Sequence, residues 1–283
     1  MNDLVQFFSF SDPNVRLVVF GTALIGACSG SIGTFTVLDR KSLLGDVVSH
    51  SILPGICIAF MLLPVRSGLH IFLGAVGAGL LAGFAADYFS RKSILRPDAL
   101  FALVLSAFFG LGVMLITYIQ QNYGANQAGL DAILFGKAAA IGSEDLLYIA
   151  VVAGIIFLAL FVFFKAFRVT SFNANFAQSI GIPTRLYKGM LSALTVMAVA
   201  IGIQAVGVVL MAALLIAPSI IAKVFSRRLG SVLVLSAFFG ALSGLFGSFI
   251  SYTQPSMPTG PWIVLTLCMG VFVLLPFQKR IRS

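Results

Sequence analysis

The sequence predicts an all-α, polytopic membrane protein forming one domain over residues 1–283. Composition, the length of the apolar runs and the placement of basic residues all point there. Of 283 residues, 59% are hydrophobic and only 10% charged, with a mean hydropathy of +1.06. Soluble domains carry about a quarter charged residues, so this chain has too little polar surface for solution. Crossing the hydrocarbon core takes about 20 apolar residues. Breaks at charges, Pro and Gly delimit nine such runs, near 16–38, 42–63, 68–90, 98–120, 145–167, 185–204, 207–225, 230–252 and 260–277. The pair flanking Gln204 reads either as two helices with a sharp turn or as one broken element.

Basic residues test this count, because cytoplasmic loops collect Lys and Arg. With the N terminus outside and the C terminus cytoplasmic, the inner segments hold Arg40 and Lys41, then Arg91, Lys92 and Arg96. Lys165, Arg168, Arg185 and Lys188 follow, then Lys223, Arg227 and Arg228, and finally Lys279, Arg280 and Arg282. That sorts 15 of 18 basic residues inside, leaving Arg16, Arg66 and Lys137 outside. The net charge of +9 is therefore a topology signal, and nucleic-acid binding is not needed to explain it. Cys28, Cys57 and Cys268 lie in apolar runs and read as packing residues. The opening MNDLVQFFSFSDPNVR does not resemble a signal peptide.

Gly26 with Gly30, Gly79 with Gly83, and Gly240 with Gly244 recur at a spacing that lets helix backbones approach closely in lipid. Two polar stretches interrupt the spans. Residues 121–145, an extracytoplasmic loop, enclose an apolar ILFG that dips into the membrane or caps the outer mouth. Residues 171–185 fall inside, where the spacing of Phe172, Phe176 and Ile180 suits a short amphipathic helix ending at Gly181 and Pro183. Its apolar stripe favours docking to a partner.

The residues with chemistry lie in LLGDVVSHSILPG, residues 43–55. A helix puts Asp46 and His50 on one face. Together they offer oxygen and nitrogen donors suited to manganese, iron or zinc. The plain alternative is a pair that hydrogen-bonds within a bundle, but ionisable residues inside a membrane usually mark function. Counted from Lys41, Asp46 lies roughly 8 Å and His50 roughly 14 Å along the helix, so His50 approaches the midplane, where transport sites sit. Asp39, Asp87 and Asp98 read as surface pairs, and His70 as incidental at an outer loop edge. Two donors do not fill a metal's coordination shell. A symmetric dimer would bring two Asp and two His to its axis. The ligands must be deprotonated, so transport is expected to weaken as His50 protonates. The chain has no G-x-x-x-x-G-K-[ST], H-E-x-x-H or G-x-S-x-G pattern, which speaks against ATP binding by this chain and against a hydrolase.

Over nearly its whole length the chain resembles the integral-membrane permeases of bacterial metal-cation ABC importers. The likeness is most specific in SLLGDVVSHSILPG and continues in LFGK at Leu134–Lys137, FAQSIGIP, IQAVGVVLMAALLIAPSIIA and PTGPWIVL. It implies a type II-like permease fold in the bacterial cytoplasmic membrane. It also implies a second copy of the chain, a cytoplasmic ABC ATPase that hydrolyses the ATP, and an extracytoplasmic metal-binding receptor. By position, Asp46 and His50 match the family's metal-coordinating pair, and residues 173–184 match its ATPase-coupling helix, the setting of Phe172, Phe176, Ile180, Gly181 and Pro183. The divalent metal is cargo, with no permanently bound cofactor implied. Ala217 before Pro218, Lys137 on the outer side and Asn173 opening the coupling helix depart from the family's usual residues. The Pro54–Gly55 form places manganese or iron ahead of zinc. The alternative function is a secondary metal/proton exchanger working without an ATPase; the sparse buried acids and the docking-like inner segment count against it.

Overall fold

The computed structural model describes residues 12–39, 41, 43–62, 68–122, 136, 138, 141–254 and 258–274. Within them the chain forms helices α1 (Pro13–Leu38), α2 (Leu43–Ser51), α3 (Leu53–Leu62), α4 (Gly68–Lys92), α5 (Pro97–Asn122) and α6 (Ser143–Val162). There follow α7 (Phe164–Phe172), α8 (Ala174–Ser179), α9 (Thr184–Val206), α10 (Val208–Phe225), α11 (Leu229–Thr253) and α12 (Thr259–Leu274). Residues 1–11, Arg40, Arg66, residues 133–135 of the ILFG stretch, Lys137 and the basic tail lie outside the described residues.

Seven elements of the described residues are long and apolar enough to cross a membrane: α1, α2 with α3 together, α4, α5, α6, α9 and α11. Two further apolar helices, residues Leu210–Phe225 and Thr259–Leu274, are shorter. The nine apolar runs thus separate into seven full-length spans and two short helices. The break near Gln204 is a turn: α9 ends at Val206, α10 begins at Val208, and Gly207 between them has φ +86°. Only glycine takes that conformation without a steric penalty.

Helix α1 is the hub. Asp12 caps it, its carboxylate accepting from the Asn14 N–H at 2.9 Å, and Pro13 at the first helical position needs no donor partner. Residues on all its sides are buried, including Val19, Ile25, Cys28, Ile32 and Phe35, because α6, α9, α10 and α11 surround it. Glycines set the closest approach. A side chain at Gly26 would collide with the Gly240 carbonyl of α11, and one at Gly240 with the Gly26 carbonyl. Gly30 faces Ser236 in the same way, and Gly244 faces Thr22. Hydroxyls cross the seam: Thr22 to Ser248 at 2.9 Å and Thr34 to Ser236 at 2.8 Å. Such bonds between membrane helices average about 0.6 kcal/mol each. The third glycine pair behaves differently: Gly79 packs against Val196 and Ile52, while Gly83 faces open space.

By contrast α4 and α5 present Leu73, Leu81, Phe84, Leu103 and Met114 outward, as helices facing lipid do. An aromatic cluster fixes the other side. Phe167 of α7 sits edge-on to Phe35 at 5.8 Å and to Tyr187 of α9 at 6.0 Å, which holds the segment leading into α8 against the core.

Candidate metal site

Proline breaks the second span. Pro54 has no N–H, so the His50 carbonyl loses the donor that a continuous helix would supply. The halves separate at Ile52, whose own N–H still reaches Val48 O at 3.1 Å and whose carbonyl accepts from Ile56 at 3.1 Å. Close packing holds the bend. A side chain at Gly112 of α5 would meet the Leu53 Cβ at 2.8 Å, and one at Gly55 would meet Gly74 of α4.

Asp46 and His50 stand one turn apart on α2, just before this break. The His50 Nε2 lies 3.4 Å from the Asp46 Oδ1. The Asp46 side chain is 41% exposed and that of His50 20%, so the carboxylate opens outward while the imidazole is set into the bundle. The other ring nitrogen, Nδ1, is buried without a hydrogen-bond partner. The Phe109 ring of α5 stands perpendicular to the imidazole, 5.1 Å between centroids. Sequence reasoning missed Phe109, because nothing in an apolar span marks which aromatic ring faces the neighbouring helix. Among the described residues no group of three or more His, Cys, Asp or Glu comes together. Among the described residues the candidate site on one chain is therefore a pair of His and Asp donors.

A groove of about 600 Å³ begins at Pro54, one turn beyond His50, and is walled by Ile58, Leu73, Ala107 and Leu111. His70 lines it, but the wall is otherwise apolar and neither Asp46 nor His50 belongs to it. Of the remaining acids, Asp87 does not pair within its own loop: its carboxylate receives Lys41 at 3.0 Å from the turn between α1 and α2. Asp39, at the C-terminal cap of α1, is raised above the ordinary carboxylate range by burial, an effect that Lys188 and Lys41 partly oppose.

At the same end of the bundle, α8 is a six-residue helix whose first turn is capped by the Asn173 side chain, accepting from the Phe176 N–H at 3.0 Å. Phe172, Phe176 and Ile180 are exposed, while Ala177 is fully buried beneath them. Gly181 turns the chain with φ +81°, Pro183 caps α9, and Gln178 donates to the Thr184 hydroxyl at 2.9 Å.

The fold is a bundle of apolar helices, seven elements of the described residues being long enough to cross a membrane, with a carboxylate–imidazole pair beside a broken one. Residues 11–278 match the model of the ABC 3 transport family. The chain is 42% identical over 269 residues to the manganese transport system membrane protein MntC of Bacillus subtilis, covering 95% of this chain and 62% of that one. It is 40% identical over 258 residues to the zinc transport system membrane protein TroC of Treponema pallidum, covering 91% of this chain and 87% of the relative. Among solved structures, PsaBC from Streptococcus pneumoniae in complex with Fab superposes with a TM-score of 0.87 at 30% identity, covering 99% of both chains. The chain belongs to the ABC 3 transport family, the permeases of metal-cation ABC importers.

Proposed function

We propose that this chain carries a divalent transition metal, manganese or iron ahead of zinc, inward across the bacterial cytoplasmic membrane as half of a homodimeric permease. The observation that carries the reading is the Asp46–His50 pair, 3.4 Å apart at a proline-broken span. Ionisable side chains inside a membrane are kept where an ion or proton passes, and broken helices supply such sites near the midplane. The half-exposed Asp46 leaves room for donors from a second copy. The carboxylate offsets part of the ion's charge and the imidazole adds a nitrogen donor. The named relatives divide between manganese and zinc at nearly equal identity, so the metal assignment rests on the Pro54–Gly55 form rather than on them.

In this reading the two short helices, α10 and α12, also cross the membrane, giving nine spans with the N terminus outside. Exposed Phe172, Phe176 and Ile180 then dock a cytoplasmic ABC ATPase. Gly181, whose φ is +81°, and Pro183 then carry movement of the docked ATPase to α9. An extracytoplasmic receptor delivers the ion to the opposite mouth. The test is uptake of manganese, iron and zinc by cells carrying the whole complex, wild type beside Asp46→Ala and His50→Ala, with assembly verified. Loss of uptake in both variants is expected. Normal uptake in both would leave the pair as packing residues and overturn the reading.

A further inference from the structure

We propose that Phe109 is the positioning residue for His50, its ring face serving as acceptor for the Nδ1–H that the imidazole must carry when Nε2 binds the ion. This rests on the metal-pair reading above. A neutral imidazole has one proton, so the nitrogen that is not a ligand carries it. The Nε2 faces Asp46 at 3.4 Å, which places a shared ion on that side and the proton on Nδ1. That nitrogen is buried with no hydrogen-bond partner, whereas ligating histidines ordinarily donate this N–H to a carboxylate, carbonyl or water.

What His50 has instead is a perpendicular phenyl ring at 5.1 Å. An N–H directed at a ring face is a weak hydrogen bond. The placement is enforced, because Gly112, three residues beyond Phe109, lets α5 close onto Leu53 and Pro54 at the bend. A weak acceptor leaves the imidazole less basic than a carboxylate would. The ion is held loosely enough to move on, which suits cargo rather than a resident metal.

The experiment uses the purified complex of the permease with its ATPase, and three substitutions. Phe109→Tyr keeps the ring face, Phe109→Leu removes it, and Phe109→Gln offers a carbonyl oxygen. Manganese affinity is measured by equilibrium dialysis. We expect Phe109→Tyr to match wild type and Phe109→Leu to bind about threefold more weakly, the scale of an N–H to ring contact. Phe109→Gln should bind about tenfold more tightly, the low end of second-layer effects, with slower uptake. Nitrogen-15 spectra of the zinc-loaded complex, assembled from an isotope-labelled permease and an unlabelled ATPase in a His70→Gln background, isolate His50, since this chain has two histidines. They should show the proton on Nδ1, displaced by the ring current in wild type and Phe109→Tyr and not in Phe109→Leu.

Unchanged affinity in both Phe109→Leu and Phe109→Gln, or a proton on Nε2 in the loaded complex, would overturn the inference while leaving the pair intact. Unchanged affinity in His50→Ala would overturn the metal-pair reading and this inference together.

Discussion

Lys41 and Asp87 meet at 3.0 Å, tying the turn that launches α2 to the last turns of α4. Both side chains are about a quarter exposed, at 28% and 26%, so solvent screens the pair and its worth is about 0.5–1 kcal/mol. Its position matters more than its strength, since Lys41 lies five residues before Asp46. Lys41→Ala should lower the thermal midpoint slightly. Exchanging the charges in Lys41→Asp with Asp87→Lys should recover most of the loss. A double variant less stable than either single one would show that the ion pair contributes nothing.

Asp39 predicts a pH dependence of stability. Burial raises its carboxyl above the ordinary value, so the folded chain keeps this proton to higher pH than the unfolded chain does. Its contribution is full below the ordinary carboxylate pKa, about 3.9, and is lost as pH rises through the raised folded value. Asp39→Asn removes the effect. The wild-type thermal midpoint should therefore fall relative to that of the variant as pH is raised from about 4. Parallel curves across the range would contradict the burial argument.

Two glycines that look alike in the sequence should respond oppositely to alanine. At Gly26 the new methyl meets the Gly240 carbonyl across the seam of α1 and α11, whereas at Gly83 it meets open space. Gly26→Ala should cost about 1–3 kcal/mol, the usual range for overpacking. Gly83→Ala should be neutral or slightly stabilising, because alanine is the better helix former. Thermal unfolding in detergent compares them directly, and equal effects would mean the α1–α11 contact is looser than described.

Pro54 separates stability from transport. In Pro54→Ala the regained N–H can bond the His50 carbonyl and straighten the span. We expect the thermal midpoint to hold or rise while metal uptake falls severalfold. Unaltered uptake would show that the bend is incidental to the site.

The class of fold was legible because a membrane imposes it. Run length, low charge and the sorting of Lys and Arg are constraints of the bilayer on any chain, and they placed the ends of α1, α4 and α5 within a few residues. The turn at Gly207 was also visible, as one of two readings of the stretch around Gln204. Asp46 and His50 stood out because charge is rare in such runs. Side-to-side packing was much less legible. Every face of a span is apolar, so periodicity does not tell the lipid side of α5 from the side where Phe109 meets His50. Glycine spacing located two of three close contacts and gave no sign that Gly83 faces outward. Asp87 read as a partner of its own basic loop, yet it pairs with Lys41, 46 residues away.

The enclosure of α1 has a consequence for how the chain is made. Helices enter the membrane in the order of synthesis, and α1 precedes by some 200 residues the α11 strip that covers its glycines and hydroxyls. Until Gly240 and Gly244 arrive, Gly26, Gly30, Thr22 and Thr34 face lipid or whatever neighbour is at hand. A nascent chain halted before α11 therefore carries on α1 an uncovered strip of small and hydroxyl-bearing residues.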